Sequence, residues 1–344
     1  MKNFKRTLTA IILAALVASL SGCENEETPV SVNPESSSES SSVSESVPEI
    51  SEPEPESEPE QESEPEVEPE PIPEPVITLS KTEVERGSYT VLRAENIDLS
   101  GVSFTDFLGY ERSFFEKDGA FYCFIPVKVA SEAGEYVLSF SAGDFEYSGN
   151  IVILDRSFYT QYLTVAEKTL EETLEDENVR AAFDYFYQNH RWHFSEEPLW
   201  NGGFVLPLGE AYYKETTTFG TFRTFSNGDT EYHNATDMAA PGGTPVYATN
   251  SGKILFAGWL GLTGNTVLID HGCGVISWHY HLSAIDIAEG DFVEKGVFIG
   301  KVGTTGLSTG NHLHFGLSVG GIFVDPMQMI GTEPDFDFGK AAEE

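Results

Sequence analysis

Residues 24–75 cannot build a folded core, and this block constrains the fold more than any other part of the chain. It consists almost entirely of Ser, Glu and Pro with a few Val, and it holds 18 glutamates but no Lys, Arg or aromatic residue. Without large apolar side chains, burial cannot offset the entropy lost on folding. Proline and charge repulsion should keep the block extended, to about 160 Å at most. We expect a disordered tether at residues 23–75, with a soluble tail that has no spacing role as the alternative.

The first 22 residues have the pattern of a secretion signal. Three basic residues precede an apolar run at 8–20, which is shorter than the roughly 20 residues of a membrane-spanning helix, so we expect cleavage. Residues 20–23, Leu-Ser-Gly-Cys, resemble the bacterial lipobox, which implies lipidation of Cys23. The protein would then be anchored by lipid to the outer face of the bacterial cytoplasmic membrane and reach into the cell wall. An ordinary signal followed by an incidental cysteine is the alternative.

The rest of the chain changes character at four points, and its fold class is predicted to be mainly β. Residues 76–155 alternate short apolar runs with Gly, Asp and Ser turns, which predicts a small β-sandwich-like (Ig-like) domain. Residues 156–198 are predicted to form a helical connector, and residues 199–330 an antiparallel β-sheet domain. Residues 331–344 are expected to form a C-terminal tail. The β-sandwich-like domain carries no catalytic pattern, so we expect a spacer or an interaction module whose protein partner is unknown.

The connector is assigned from apolar residues at helical spacing, namely Val179, Ala182, Phe183 and Phe186. His190 and His193 lie at the end of this helical pattern, and we expect a surface or capping role for both. Cys123 and Cys273 are expected to be free, because they lie in different predicted domains and neither forms a Cys-x-x-Cys pair.

The net charge excludes one class of partner. The chain carries 56 acidic and 19 basic residues, for a formal charge of −37. Nucleic-acid binding depends on the neutralisation of phosphates by Lys and Arg. We therefore expect no nucleic-acid partner.

Six of the eight histidines fall between positions 233 and 314, and five of these lie in three short clusters. These clusters are His233 with Asp237, His279 with His281, and His312 with His314. Alternation along a strand predicts that His279 and His281 share one face, with Trp278 and Tyr280 on the opposite face. By the same rule, His312 and His314 share a face. Zinc selects imidazole and carboxylate ligands, and a catalytic zinc keeps three of them plus an open position. The surplus histidines could act as bases or as oxyanion donors, and spacing alone does not assign these roles.

With these motifs in this order, residues 199–329 resemble the LytM and lysostaphin-type metallopeptidases, peptidase family M23. The resemblance implies that His233 and Asp237 of H-x-x-x-D, and His314 of H-x-H, bind zinc. It implies that His281 of Y-x-H-L and His312 of H-x-H assist catalysis. Supporting segments agree in order at 239–241, 264–267, 269–272, 303–306 and 324–326.

Several positions depart from the family pattern. Ala235 replaces a glycine, which would cost stability if the backbone there needed φ > 0. The F-G-x-R motif has one extra residue at 219–223, so no role is assigned to Arg223. His279 replaces a tyrosine, and is either a hydrogen-bonding neighbour of His281 or one ring replacing another. His271 is expected to be a turn residue.

The resemblance implies a zinc endopeptidase, with one Zn²⁺ per peptidase domain, that hydrolyses peptide cross-links or bridges of bacterial peptidoglycan for cell-wall remodelling. Its partners would be peptidoglycan peptide stems or cross-bridges, with membrane contact through the N-terminal lipid. The alternative is a catalytically silent LytM-like module that binds the wall or regulates other wall hydrolases. Silent relatives typically lack zinc-site residues, whereas all five principal positions are present here, which favours the enzyme.

Overall fold

The computed structural model describes residues 73–209 and 213–334, which fall in one compact unit. The predicted signal at 1–22, Cys23, the tether up to residue 72 and the tail from residue 335 lie outside the described residues. Within the described ranges, no helix is both long and apolar enough to cross a membrane. The predicted mainly β fold is confirmed.

Residues 76–154 form an N-terminal module of short sheets, in which most strand pairs are antiparallel. Its strands are β1 (Val76–Leu79), β2 (Glu83–Glu85), β3 (Tyr89–Glu95), β4 (Ser103–Thr105), β5 (Glu111–Ser113), β6 (Phe115–Lys117), β7 (Ala120–Pro126), β8 (Gly134–Ala142) and β9 (Phe145–Leu154). The sheet orders are β1-β3-β7-β6, β2-β9-β8 and β4-β5, and β2 runs parallel to β9. Leu92, Ile125 and Leu138 are fully buried in one apolar cluster of this module.

The connector contains a strand as well as helices. Its elements are β10 (Thr160–Leu163), α1 (Glu167–Glu171) and α2 (Glu177–His190). Asp176 caps α2 by accepting hydrogen bonds from the backbone N–H groups of Asn178 and Val179. Phe186 of α2 is buried against a wall of aromatic side chains on the C-terminal sheet. The helical prediction missed β10 because that strand is defined by pairing with residues about sixty positions further along the chain.

The C-terminal domain is built around one large antiparallel sheet. The strands are β11 (Lys214–Thr217), β12 (Phe222–Phe225), β13 (Thr230–Tyr232), β14 (Thr236–Ala239), β15 (Pro245–Tyr247), β16 (Gly252–Leu260), β17 (Gly264–Asp270), β18 (Val275–Leu282), β19 (Ala284–Ile285), β20 (Phe292–Val293), β21 (Phe298–Lys301), β22 (His312–Val319) and β23 (Ile322–Val324), followed by a 3₁₀ turn at Pro326–Gln328. The large sheet has the order β11-β14-β22-β18-β17-β16-β20, with β23 also on β22. Smaller sheets have the orders β10-β12-β13 and β15-β21-β19.

The N-terminal module and the C-terminal domain share an apolar core. Phe115 and Phe124 of the module approach the Trp200 ring, with centroid separations of 6.3 and 6.4 Å. Val275 and Leu317 of the large sheet are buried in the same cluster. Burial of this kind holds the two regions together, since each large apolar side chain contributes about 1.5–3 kcal/mol when fully buried.

Candidate metal centre

Two neighbouring strands bring His233, Asp237 and His314 together. Strand β14 pairs with β22 so that Asp237 lies directly opposite His314, and both side chains therefore project from the same face. His233 lies in the short segment between β13 and β14 and is almost completely buried. Ala235, between them, is buried without a positive φ, so the family glycine is not needed for the backbone here.

The three potential ligand atoms form a small triangle. His233 Nε2 and His314 Nδ1 each lie 3.0 Å from Asp237 Oδ1, and they lie 3.1 Å from each other. Ligand atoms about 2.0–2.1 Å from a tetrahedral zinc stand about 3.3–3.4 Å apart. The triangle would therefore need to open by only about 0.3 Å to hold zinc.

Hydrogen bonding around His233 also favours a cation at this position. His233 Nδ1 lies 3.2 Å from the Thr218 carbonyl oxygen, which can only accept, so this nitrogen carries the proton. The lone pair of Nε2 then faces the Asp237 carboxylate. Burial lowers the pKa of His233 despite the nearby Asp237 charge, which disfavours a second proton. Two facing acceptors repel each other, and a bound cation would remove that repulsion.

The protonation states suit metal binding. Burial alone would raise the pKa of Asp237, but its polar neighbours, among them the hydrogen-bonding His314, outweigh burial and hold the pKa well below its usual range. Burial lowers the pKa of His314 to about 4. At neutral pH the group therefore offers a carboxylate and neutral imidazoles, the forms that bind zinc.

His281 and His312 stand beside this triangle. Their ring centroids are 4.7 Å apart, and His312 Nε2 lies 3.7 Å from Asp237 Oδ1. His281 Nδ1 donates to the Thr305 carbonyl and His312 Nδ1 donates to the Gly310 carbonyl, each at 2.8 Å. Each ring is thereby fixed in the tautomer that leaves an Nε2 lone pair, as a base requires. Burial, followed by the neighbouring His312 and His314, lowers the pKa of His281 well below its ordinary value.

The prediction that His279 and His281 share one face of a strand was wrong. His279 pairs with Phe315 and packs against its ring in the core, fully buried, whereas Tyr280 pairs with His314 and stacks on it. His281 reaches the site because its φ of 63° departs from strand geometry and breaks the alternation at the end of β18. A non-glycine residue with φ > 0 is uncommon, and such strain clusters at functional sites. His279 is therefore not a neighbour of His281 in the site.

Arg223 is a site residue that the sequence reasoning left without a role. Its guanidinium donates to Asp237 Oδ2, on the side of the carboxylate away from the triangle. Its side chain is only 11% exposed, so this contact is shielded from water. Such a partner fixes the orientation of a ligating carboxylate. The F-G-x-R motif was the available signal, and the extra residue at 219–223 obscured it.

The remaining histidines lie outside the site. His271 is fully buried and bridges the Ser251 carbonyl and the Ser277 hydroxyl at 2.8 Å each, which is a structural role. His190 lies in the last turn of α2, and His193 contacts Asp270 at 3.0 Å.

The centre opens into a cleft of about 550 Å³. Both the C-terminal domain and the connector line it. The connector contributes Leu163 and Val165 around β10, and Phe183, Asp184 and Tyr187 from α2. A segment expected only to link two domains thus forms part of the wall in front of the histidines.

Comparison with known proteins identifies the domain that carries this site. Residues 231–326 match the family model described as Peptidase family M23. The DD-carboxypeptidase/endopeptidase Mpg of Neisseria meningitidis is 46% identical over 103 residues, which are 30% of this chain and 24% of the relative. Peptidoglycan DD-endopeptidase ShyB of Vibrio cholerae is 36% identical over 123 residues, which are 36% of this chain and 29% of the relative.

A solved structure of the catalytic domain of lysostaphin from Staphylococcus simulans is 35% identical, and the match covers 34% of this chain and 90% of that one with a TM-score of 0.31. The matched region spans only about a quarter of each of the two curated relatives. The residues that match the family model, 231–326, include all five site residues. The C-terminal part of this chain, at residues 231–326, is a peptidase family M23 domain.

Proposed function

We propose that this protein is a zinc-dependent endopeptidase that hydrolyses peptide cross-links or bridges of bacterial peptidoglycan. One observation carries the proposal: His233, Asp237 and His314 converge within 4.8 Å at the base of a cleft, with two base-competent imidazoles beside them. The names of the relatives, which include a peptidoglycan DD-endopeptidase, support this substrate class.

His233 Nε2, Asp237 Oδ1 and His314 Nδ1 would hold the zinc ion. When bound, zinc supplies Lewis acidity, which polarises a carbonyl and makes water more acidic. The chain's own residues do the rest. Arg223 keeps the Asp237 carboxylate oriented, and the carbonyls of Thr305 and Gly310 keep His281 and His312 aimed into the cleft.

His281 and His312 are proposed to take a proton from the attacking water and to stabilise negative charge on the scissile carbonyl oxygen. Their free Nε2 atoms suit the first task, and protonation of either ring provides the donor for the second. General acid–base assistance of this kind is worth about 10²–10⁴ in rate.

The cellular location is part of the proposal. A signal at residues 1–22, a lipid on Cys23 and an extended tether at 23–75 would hold the enzyme on the outer face of the cytoplasmic membrane and let it reach the wall. Labelling with a fatty-acid analogue should modify the wild type and not Cys23→Ser. Equal labelling of both would refute the anchor.

The function is tested by comparing variants of the full chain on purified peptidoglycan sacculi. His314→Ala should lose both zinc and hydrolysis, whereas His281→Ala should keep zinc and lose at least about 10²-fold in rate. His190→Gln, which changes a histidine outside the site, is the matched control and should retain both. Wild-type protein that is folded and zinc-loaded but releases no peptide fragments would refute the peptidase and leave a wall-binding module.

A further inference from the structure

A second cavity, of about 350 Å³, lies between the N-terminal module and the C-terminal domain. We call it the junction cavity. Its walls include Tyr110 and Arg112 from the module, and Trp192 and Phe194 from the segment after α2. It shares no lining residue with the catalytic cleft, so it is a separate site.

Arg112 lines this cavity and has one side-chain donor without a partner. The residue is only 4% exposed. Its Nε donates to Asp106 Oδ2 at 2.7 Å, and its Nη1 donates to the Gly320 carbonyl. Its Nη2 is buried and has no hydrogen-bond partner in the described structure. A buried N–H of a charged group without an acceptor is costly, which points to an acceptor supplied by a ligand.

Two further basic side chains pack on the aromatic residues of the cavity wall. Lys128 Nζ lies 4.3 Å from the Tyr110 ring centroid, and the Arg191 guanidinium lies 4.2 Å from that of Trp192. The pKa of Tyr110 is lowered, chiefly by a hydrogen bond from Lys128. Two nearby carboxylates are already paired: Asp106 with Arg112, and Asp270 with His193. Glu111 also lines the cavity, and it accepts a hydrogen bond from Ser103.

Two aromatic side chains of the cavity wall, Trp192 and Phe194, pack against glycines. A Cβ on Gly321 would lie 2.1 Å from the Trp192 ring, so only glycine allows the ring to rest there. A Cβ on Gly274 would come within 3.3 Å of Phe194. Trp192 and Phe194 nevertheless remain 40% and 36% exposed, so apolar ring surface is left available beside the donor. An aromatic surface beside a guanidinium edge suits a carboxylate attached to an apolar group.

We propose that the junction cavity binds the free carboxylate end of a short peptide. Arg112 Nη2 would donate to the carboxylate, and the rings of Trp192 and Phe194 would pack on the terminal residue. The choice of a peptide rests on the proposed function, because hydrolysis of a peptide bond releases such an end. The site would keep the enzyme on wall material that carries free peptide ends.

The test is calorimetric titration of the zinc-loaded full chain with acetyl-L-lysyl-D-alanine and with the same dipeptide as its C-terminal amide. The acid should bind at least about tenfold more tightly, as expected for a hydrogen bond between charged groups. Trp192→Ala should weaken binding of the acid at least about fivefold. Trp259→Ala, which changes a tryptophan that is 59% exposed elsewhere, is the matched control and should leave binding unchanged.

Arg112→Lys should abolish the preference for the acid, but it also disturbs the buried pair with Asp106. The test therefore also rests on Trp192→Ala, whose side chain is partly exposed. His314→Ala should retain binding of the acid. Equal affinity for acid and amide, equal effects of the two tryptophan variants, or loss of binding in His314→Ala would each overturn the inference. Hydrolysis of sacculi is measured independently, so failure here is distinguishable from failure of the proposed function.

Discussion

Truncation of Phe186 tests whether the connector helix is packed on the C-terminal sheet as described. Phe186 is 6% exposed, and its ring centroid lies 4.6 Å from that of Phe256 and 6.4 Å from that of Trp278. Replacing a buried phenylalanine by alanine typically costs about 3–5 kcal/mol, because transfer energy is lost and a cavity is left. Alanine recovers about 0.5 kcal/mol through its higher helix propensity. We therefore expect Phe186→Ala to lower the free energy of unfolding by about 3 kcal/mol.

The matched control is the preceding residue of the same helix. Tyr185 is 75% exposed, so Tyr185→Ala makes the same aromatic-to-alanine change with the same gain in propensity and little lost packing. It should alter stability by less than about 0.5 kcal/mol. Urea unfolding followed by tryptophan fluorescence measures both variants, and Trp278 reports directly on the contact. Equal losses for the two variants would refute the docking of α2 and, with it, the connector's place in the cleft wall.

Three further predictions concern the loops and buried groups. Gly306→Ala should lower the free energy of unfolding by on the order of 3 kcal/mol, because φ is +71° and a Cβ would lie 2.4 Å from the Gly264 nitrogen. Gly143→Ala, at φ +59° with open space around it, should lower it by only about 1 kcal/mol. Thermal unfolding measures both variants. Cys123 and Cys273 should resist iodoacetamide until the protein unfolds, since both are buried and burial raises the pKa of the Cys123 thiol to about 12. Peptide mapping by mass spectrometry that found either of these two cysteines alkylated in the native protein would contradict this. Burial lowers the pKa of His279 from 6.5 to about 3, so the unfolded state takes up its proton first and stability is lost as the pH falls between these values. His279→Leu should therefore lose less stability than the wild type in urea titrations over this pH range. An equal dependence of stability on pH in the two proteins would count against the burial of His279.

The sequence predicted the site better where strand alternation is regular. His312 and His314 share a face of β22, while Leu313 and Phe315 are buried on the other, as period-two geometry requires. The rule failed at His281, because a positive φ at one residue turns its side chain to the opposite face. Backbone outliers of this kind depend on the surrounding fold, here on the Thr305 carbonyl that holds the ring.

Contacts between distant segments were beyond the reach of sequence patterns. Strand β10 exists because β12 lies beside it, and its own residues carry no distinctive alternation. The shared core around Trp200 and Phe124 likewise depends on contact between the N-terminal module and the C-terminal domain, which the sequence patterns described as separate domains. Arg223 could be placed only once β12 brought it to Asp237.

We propose that His233, Asp237 and His314 together bind one divalent ion. Elemental analysis of the full chain, loaded with excess zinc and then dialysed, tests it most directly. The wild-type protein should retain one zinc per chain, and Asp237→Ala should lose it. A folded wild-type protein that retained no zinc, or an Asp237→Ala protein that retained it fully, would contradict the account.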